Sequence, residues 1–274
     1  ILVVNNSNAG IVSNSTFPIL AETNSNEIHY LIGSLKKPIL AYGALSTNSA
    51  YKDRIYNNLS FSAFMKESDD LYAAFLLKEV MQNQQRKFGD VLESDLALPL
   101  TSTTEDSFFD KLPARATYSR PLDRNNEIYR NSIGQEKPYR FVDVVQWYAR
   151  IASGKKLVLN FSGNEVAYNE LSIDKISLRI LKSSMNNVLS GTASVVGEAL
   201  DRNGIEKADF IAKTGTAEHS SGKYNSSSSI ILANREFTIG IMINGNVPEN
   251  KRNLAAKNIM VRIIPILRKY NILR

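Results

Sequence analysis

The chain contains no cysteine. Disulfides and thiolate metal sites are therefore excluded, and the compartment stays open on this ground. Only two histidines are present, His29 and His219, too few for a histidine-rich metal centre. No apolar run reaches the roughly 18 residues that a membrane-spanning helix needs. The charges include no block of five or six of one sign. Lys and Arg total 33 against 27 Asp and Glu, a net charge of +6 spread along the chain, so nucleic-acid binding is not indicated. No signal-peptide pattern is visible. The chain opens Ile1-Leu2-Val3-Val4 without an initiator methionine, and the expectation is a fragment whose leader, anchor or upstream domain lies outside it.

What is present is enough for a core. The chain has 274 residues, 43% of them hydrophobic, and residues 1–274 are read as one domain. Ile1–Val4 and Ile11-Val12 flank an Asn- and Gly-rich turn and predict a hairpin. Apolar spacing predicts helices over Ser34–Leu45, Ser68–Arg86, Val142–Ile151 and Ile176–Leu189, and an amphipathic helix over Asn253–Ile272 kinked at Pro265. Residues 90–131 read as a long surface excursion. Strands are expected at Ala208–Thr216, Ser228–Ala233 and Phe237–Ile243, the last two joined by Asn234-Arg235-Glu236. Strands from both ends then pair in one antiparallel sheet with helices on its faces, an α+β arrangement.

Lys213-Thr214-Gly215-Thr216 ends one of these strands, and the Lys-Thr-Gly word occurs once. It is one of three signatures of serine enzymes that react with penicillin, the others being Ser-x-x-Lys and Ser-x-Asn upstream. A serine hydroxyl needs a base, and a lysine three residues on lies on the same helical face. That lysine serves as base only if burial or a nearby positive charge lowers its pKa, and Lys213 supplies such a charge. Ser-x-x-Lys occurs at Ser34/Lys37, Ser49/Lys52, Ser153/Lys156, Ser172/Lys175 and Ser220/Lys223. Ser34 is set apart by context, with Gly33 before it and Pro38-Ile39-Leu40-Ala41-Tyr42 continuing an apolar helix. The plain alternative is a helix-start serine beside a solvated lysine. Gly215 lets the strand edge approach a reacting centre, and the N–H groups of Ser34 and Thr216 are candidate oxyanion donors.

Three landmarks in order resemble the transpeptidase domain of penicillin-binding proteins, most like the class A type. The first is Gly33-Ser34-Leu35-Lys36-Lys37-Pro38 with Ala41-Tyr42-Gly43-Ala44-Leu45. The second is Ser132-Ile133-Gly134-Gln135 and the helix at Val142–Ala149. The third is Gly191-Thr192-Ala193 with Ala212–Glu218. The middle signature departs from the family's pattern: Ser68-Asp69-Asp70 stands where Ser-x-Asn is expected, so Asp70 replaces an asparagine. Literal Ser-x-Asn words occur at Ser46/Asn48, Ser162/Asn164 and Ser184/Asn186, of which Ser162/Asn164 is the reserve choice. Glu136 likewise follows Gln135 where the family has glycine.

The resemblance implies a β-lactamase/transpeptidase-like fold with an antiparallel sheet of about five strands. It implies an extracytoplasmic serine D,D-transpeptidase acting on peptidoglycan stem peptides, inhibited by β-lactams, without metal or cofactor. A membrane anchor and a glycosyltransferase domain would lie outside this fragment. Ser34 would be the nucleophile and Lys37 the base, with Ser68 as relay and Lys213 beside them. Asp70, Lys213, Thr214, Gly215 and Thr216 would bind substrate, with the terminal carboxylate on Lys213 and Thr214. Asp70 is expected to favour the ammonium form of Lys37, since a carboxylate only accepts hydrogen bonds where an amide also donates. Two alternatives remain: a hydrolase of the same fold, a carboxypeptidase or β-lactamase, and a non-catalytic binding domain.

Overall fold

The structure is a computed structural model that describes residues 1–15, 29–97, 127–135, 138–160, 168–217, 227–243 and 255–273. Its centre is a five-stranded antiparallel sheet in the order β2-β1-β9-β8-β7, where β1 is Leu2–Asn5, β2 Gly10–Asn14, β7 Ile211–Ala217, β8 Ser227–Ala233 and β9 Phe237–Ile243. The two ends of the chain meet in it, because Leu2 pairs with Gly240 and Val4 with Thr238. Strand β8 is buried at every position, so both faces of the sheet are covered.

Register assigns those faces. Cross-strand partners share a face and neighbours along a strand alternate. Gly240 pairs with Ile231, and Ile231 with Lys213. A Cβ on Gly240 would lie 2.5 Å from Val145 Cγ2, so helix α5, Phe141–Ser153, rests on this face. Ser228 pairs with Thr216, and its hydroxyl is 3.4 Å from the Ala256 N–H of helix α8, Ala255–Lys269, on the other face. Lys213 thus points to the α5 side, and Thr214 and Thr216 to the α8 side.

The helical layer beside β7 holds α1, Lys37–Thr47, and α3, Asp70–Leu96. Helix α1 is buried along almost its whole length, which its run of apolar residues predicts. Helix α2, Phe61–Glu67, precedes α3 and is capped by the Ser60 hydroxyl on the Ala63 N–H. Helices α4, Glu127–Ser132, α6, Lys175–Asn186, and α7, Ser194–Arg202, complete the set among the described residues. Short strands β3, His29–Leu31, and β6, Pro138–Arg140, pair on the approach to α1 and α5, and β4, Ile55–Tyr56, pairs with β5, Leu59–Ser60.

Several boundaries differ from those the periodicity predicts. Helix α3 runs to Leu96 rather than Arg86, through a break of helical geometry at Gln84, and Phe88, Leu92 and Leu96 continue its buried stripe. The expected excursion over 90–131 therefore begins later, and α4 occupies part of it; residues 98–126 lie outside the described residues. The segment at Ala208–Asp209 is a tight turn, so β7 starts at Ile211. Helix α8 continues through Pro265 to Lys269. No helix among the described residues is long and apolar enough to cross a membrane.

One buried charge ties these layers together. The Asp95 carboxylate is 0% exposed and accepts from the Tyr42 hydroxyl, the Ser172 N–H at 2.9 Å and the Ser172 hydroxyl at 2.5 Å, and pairs with Lys156 at 2.8 Å. Burial pushes the Asp95 carboxyl up, and these bonds outweigh it, leaving the group below its ordinary value. A depressed carboxyl stabilises the fold above its unfolded-state pKa of about 4 and ceases to do so as pH falls through the folded value. Asp95→Ala leaves Lys156 and two hydroxyls without their acceptor and is expected to cost about 3–5 kcal/mol in urea unfolding at pH 7. That cost should shrink in the same assay as pH falls to roughly 3.

Candidate active site

A cavity of about 410 Å³ opens where α1, α3, β7 and the first turn of α8 converge. Ser34, Ser68, Asp70, Gln135, Thr192, Thr214, Gly215, Thr216, Ser228, Ser229 and Lys257 line it. Three of these come from the Lys-Thr-Gly-Thr strand, one from Ser-x-x-Lys and two from Ser68-Asp69-Asp70. The fold thus brings all three sequence signatures to one hollow.

Ser34 sits in a tight 3-10 turn, Gly33–Lys36, that leads directly into α1. Gly33 has φ +53, and a Cβ there would lie 2.0 Å from the Thr216 carbonyl oxygen. Backbone meets backbone, so no side chain can be accommodated, and the Gly33–Lys36 turn is pressed against β7. From the other side a Cβ on Gly215 would lie 2.6 Å from the Ile32 carbonyl. These two close approaches set the segment Ile32–Gly33, which leads into Ser34, beside the Gly215–Thr216 backbone. The Gly33 N–H donates to the Gly134 carbonyl at 3.2 Å, which brings Gln135 to the rim. The buried Tyr148 hydroxyl of α5 holds the turn by donating to the Leu35 carbonyl at 3.0 Å.

Ser68 is the C-cap of α2 and has left-handed backbone, φ +59 and ψ 42. Such geometry costs a non-glycine residue about 1 kcal/mol or more. It reverses the chain between α2 and α3, where the Asp69 side chain caps α3 on the Tyr72 N–H at 2.6 Å. The reversal turns the Ser68 hydroxyl between two buried lysine amines, 3.2 Å from Lys37 Nζ and 2.7 Å from Lys213 Nζ. Asp70, the first residue of α3, pairs with Lys37 at 2.5 Å and accepts the Tyr129 hydroxyl at 3.2 Å. The Lys37 side chain is 0% exposed and that of Asp70 is 43% exposed.

Lys37 Nζ donates to the Ser68 carbonyl, the Ser68 hydroxyl and Asp70, which fills the three donors of an ammonium. The Ser34 hydroxyl has no hydrogen-bond partner among the described residues. Burial lowers the Lys37 pKa, and Asp70 opposes it through charge and hydrogen bond without restoring the ordinary value. The sequence predicts the sign of the Asp70 effect; burial, which a sequence does not display, decides the net direction. Lys213 is held well below its usual value, first by complete burial and then by Lys37, with Asp70 opposing and Lys257 adding to it.

Sequence reasoning overlooks Lys257, whose Nζ donates to the Thr192 carbonyl at 2.7 Å. It also overlooks the bond between the Thr192 and Thr214 hydroxyls at 3.1 Å and the Tyr129 contact to Asp70. Gly191-Thr192-Ala193 carries the only sequence signal for these contacts. Neither Ser46 nor Ser184 lines the cavity; Ser46 bonds the Tyr42 carbonyl of its own helix and Ser184 is buried in α6. The Ser162/Asn164 word, Glu136 and His219 lie outside the described residues.

No protein-family profile matches the chain. No curated protein matches it significantly either. Solved structures do. The transpeptidase domain of Burkholderia pseudomallei penicillin-binding protein 3 superposes with a TM-score of 0.68 at 12% identity, over 99% of this chain and 88% of that one. The D,D-transpeptidase domain of a peptidoglycan glycosyltransferase from Eggerthella lenta gives 0.68 at 15% identity, over 99% and 78%. Penicillin-binding protein 3 from Mycobacterium tuberculosis, solved with aztreonam, gives 0.67 at 12% identity, over 99% and 72%. The chain therefore has the α+β fold of penicillin-binding-protein transpeptidase domains, with the five-stranded antiparallel sheet and flanking helices that the sequence resemblance implies.

Asp70→Asn removes the charge that holds the Lys37 pKa up. The titration of the Lys37 side chain, followed by NMR of protein labelled at its lysines, should move to lower pH in this variant. An unmoved titration would show that Asp70 is not coupled to Lys37.

Proposed function

We propose that residues 1–274 form a serine acyl-transfer domain that attacks D-alanyl-D-alanine ends of peptidoglycan stem peptides on the extracytoplasmic side of a membrane. The observation that carries this reading is the convergence of Ser34, Ser68 and the Thr214–Thr216 edge on one cavity, with two buried lysines behind it. Fold likeness to D,D-transpeptidase domains supports the reaction class, and the aztreonam-bound neighbour supports β-lactams as inhibitors.

In this reading Ser34 Oγ attacks the penultimate D-alanyl carbonyl. Its proton passes to Lys37, directly or through Ser68, which hydrogen-bonds both lysines. The oxyanion forms against the N–H groups of Ser34 and Thr216. The carbon–nitrogen bond breaks, Lys37 returns the proton to the departing D-alanine amine, and an acyl ester remains on Ser34. An amine of a neighbouring stem peptide then attacks the ester, loses its proton to Lys37 and restores the serine. Lys213, held further below its usual value than Lys37, lies on the other side of Ser68 and completes the hydrogen-bonded link between the two amines.

The Asp70 pairing favours one second reading. It takes one of the three Lys37 donors, Ser68 takes the other two, and Ser34 is left without its base in the resting state. A domain fixed in that state binds stem peptide without turning it over.

Incubation with a labelled penicillin followed by peptide mass spectrometry separates the two readings. A stable adduct on the Ser34 peptide, lost in Ser34→Ala, is the expected result. Ser68→Ala should slow its formation by about 10²-fold or more, the scale of a lost proton-transfer group. Well-folded protein that forms no adduct would favour the binding-domain reading.

A further inference from the structure

Two lysines compete for the role of carboxylate receptor in this cavity, and the geometry separates them. Lys213 belongs to the signature strand, but its side chain is wholly buried and does not line the hollow. Two of its three N–H donors go to the Ser68 hydroxyl at 2.7 Å and the Thr214 carbonyl at 3.0 Å. Strand alternation explains this: Lys213 pairs with Ile231 on the α5 face, and Thr214 and Thr216 pair with Ile230 and Ser228 on the α8 face. Any anion that lies against the threonine hydroxyls is therefore on the side away from the Lys213 stem.

The α8 face has its own cation. Lys257, in the first turn of α8, is half-buried and lines the cavity beside Thr192, Thr214 and Ser228. One of its three N–H donors goes to the Thr192 carbonyl at 2.7 Å. No other partner is found among the described residues, which leaves two donors for a ligand. The Thr192 hydroxyl contacts that of Thr214 at 3.1 Å, so the ammonium and the two hydroxyls form one connected wall. Lys37 and Lys213 do not line the cavity, and Lys257 is the only cationic side chain among its described lining residues. Burial draws both Lys213 and Lys257 down, Lys213 far further, so the charge that an anion meets is that of Lys257.

We infer that Lys257, together with the Thr214 hydroxyl, is the receptor for the free α-carboxylate of the peptide ligand, and that Lys213 acts from behind as an electrostatic partner of Lys37 and Ser68. This rests on the reading of the cavity as a D-alanyl-D-alanine site and assigns its specificity to a residue that none of the signature motifs contains. The consequence is a preference for ligands ending in a free carboxylate over the same ligands ending in an amide.

The test uses Ser34→Ala protein, so that the ligand stays intact, and calorimetric binding of an N-acyl-D-alanyl-D-alanine as free acid and as C-terminal amide. The parent should prefer the acid by about ten- to hundredfold, the scale of a hydrogen-bonded charge. Adding Lys257→Gln should abolish the preference, weakening the acid by more than the amide. Adding Lys257→Arg should retain most of it, which a purely structural lysine would not require. Thermal unfolding of each variant checks that the fold is intact. A preference that survives in Lys257→Gln, or a parent that does not prefer the acid or binds neither ligand, overturns the assignment. The acid preference is independent of acylation, so a protein that forms no Ser34 adduct yet shows it would refute the transfer reaction and leave the Lys257 assignment standing.

Discussion

Two ammonium groups buried next to each other are the constraint around which this domain is arranged. Neither Lys37 nor Lys213 has solvent to stabilise its charge, and Lys37 further disfavours charge on Lys213. Isolated, such a pair would cost several kcal/mol per ion. Ser68 and Asp70 offset that cost: the serine hydroxyl bridges both nitrogens, and the carboxylate lies against Lys37. The left-handed backbone of Ser68 is the strain that buys this bridge. The proposed acyl transfer from Ser34 would draw on such a buried, readily deprotonated amine.

The rest of the fold keeps those groups in place. Helix α1 carries Lys37, the α2–α3 reversal carries Ser68 and Asp70, and edge strand β7 carries Lys213. The contact of Gly33 and Gly215 with opposing backbone fixes α1 against β7 to within less than a side chain. Farther from the cavity, Asp95 joins α3 to Tyr42 of α1 and to Ser172, and the Arg150 guanidinium bonds the Asp95 carbonyl at 2.9 Å. The far end of the α1–α3 pair is thereby fixed, and its near end lies at Ser34, Lys37 and Asp70.

Much of this was legible in the sequence, and the parts that were not have physical reasons. The terminal strands, the β8–β9 hairpin and helices α1, α5 and α6 follow from alternation and helical spacing. Helix α2 escaped because seven residues carry little periodicity, although Phe61, Phe64 and Met65 fall on one face. The end of α3 was hidden by the polar stretch Gln82–Lys87, and its later apolar residues are buried only because α1 lies on them. Motif words located Ser34, Ser68, Asp70 and Thr214–Thr216, because chemistry fixes their spacing along the chain. Lys257 comes from a distant helix and reaches the cavity only through tertiary packing, which no local spacing records. The net direction of the Lys37 shift was likewise hidden, since charge is written in the sequence and burial is not.

The electrostatic account is tested most directly by an NMR titration of protein labelled at the lysine side chains. Lys37 and Lys213 would be assigned by single Lys→Arg replacements. The account predicts two signals that lose their protons below the main group of lysines, Lys213 at the lower pH. Titration of both signals together with the surface lysines would contradict it.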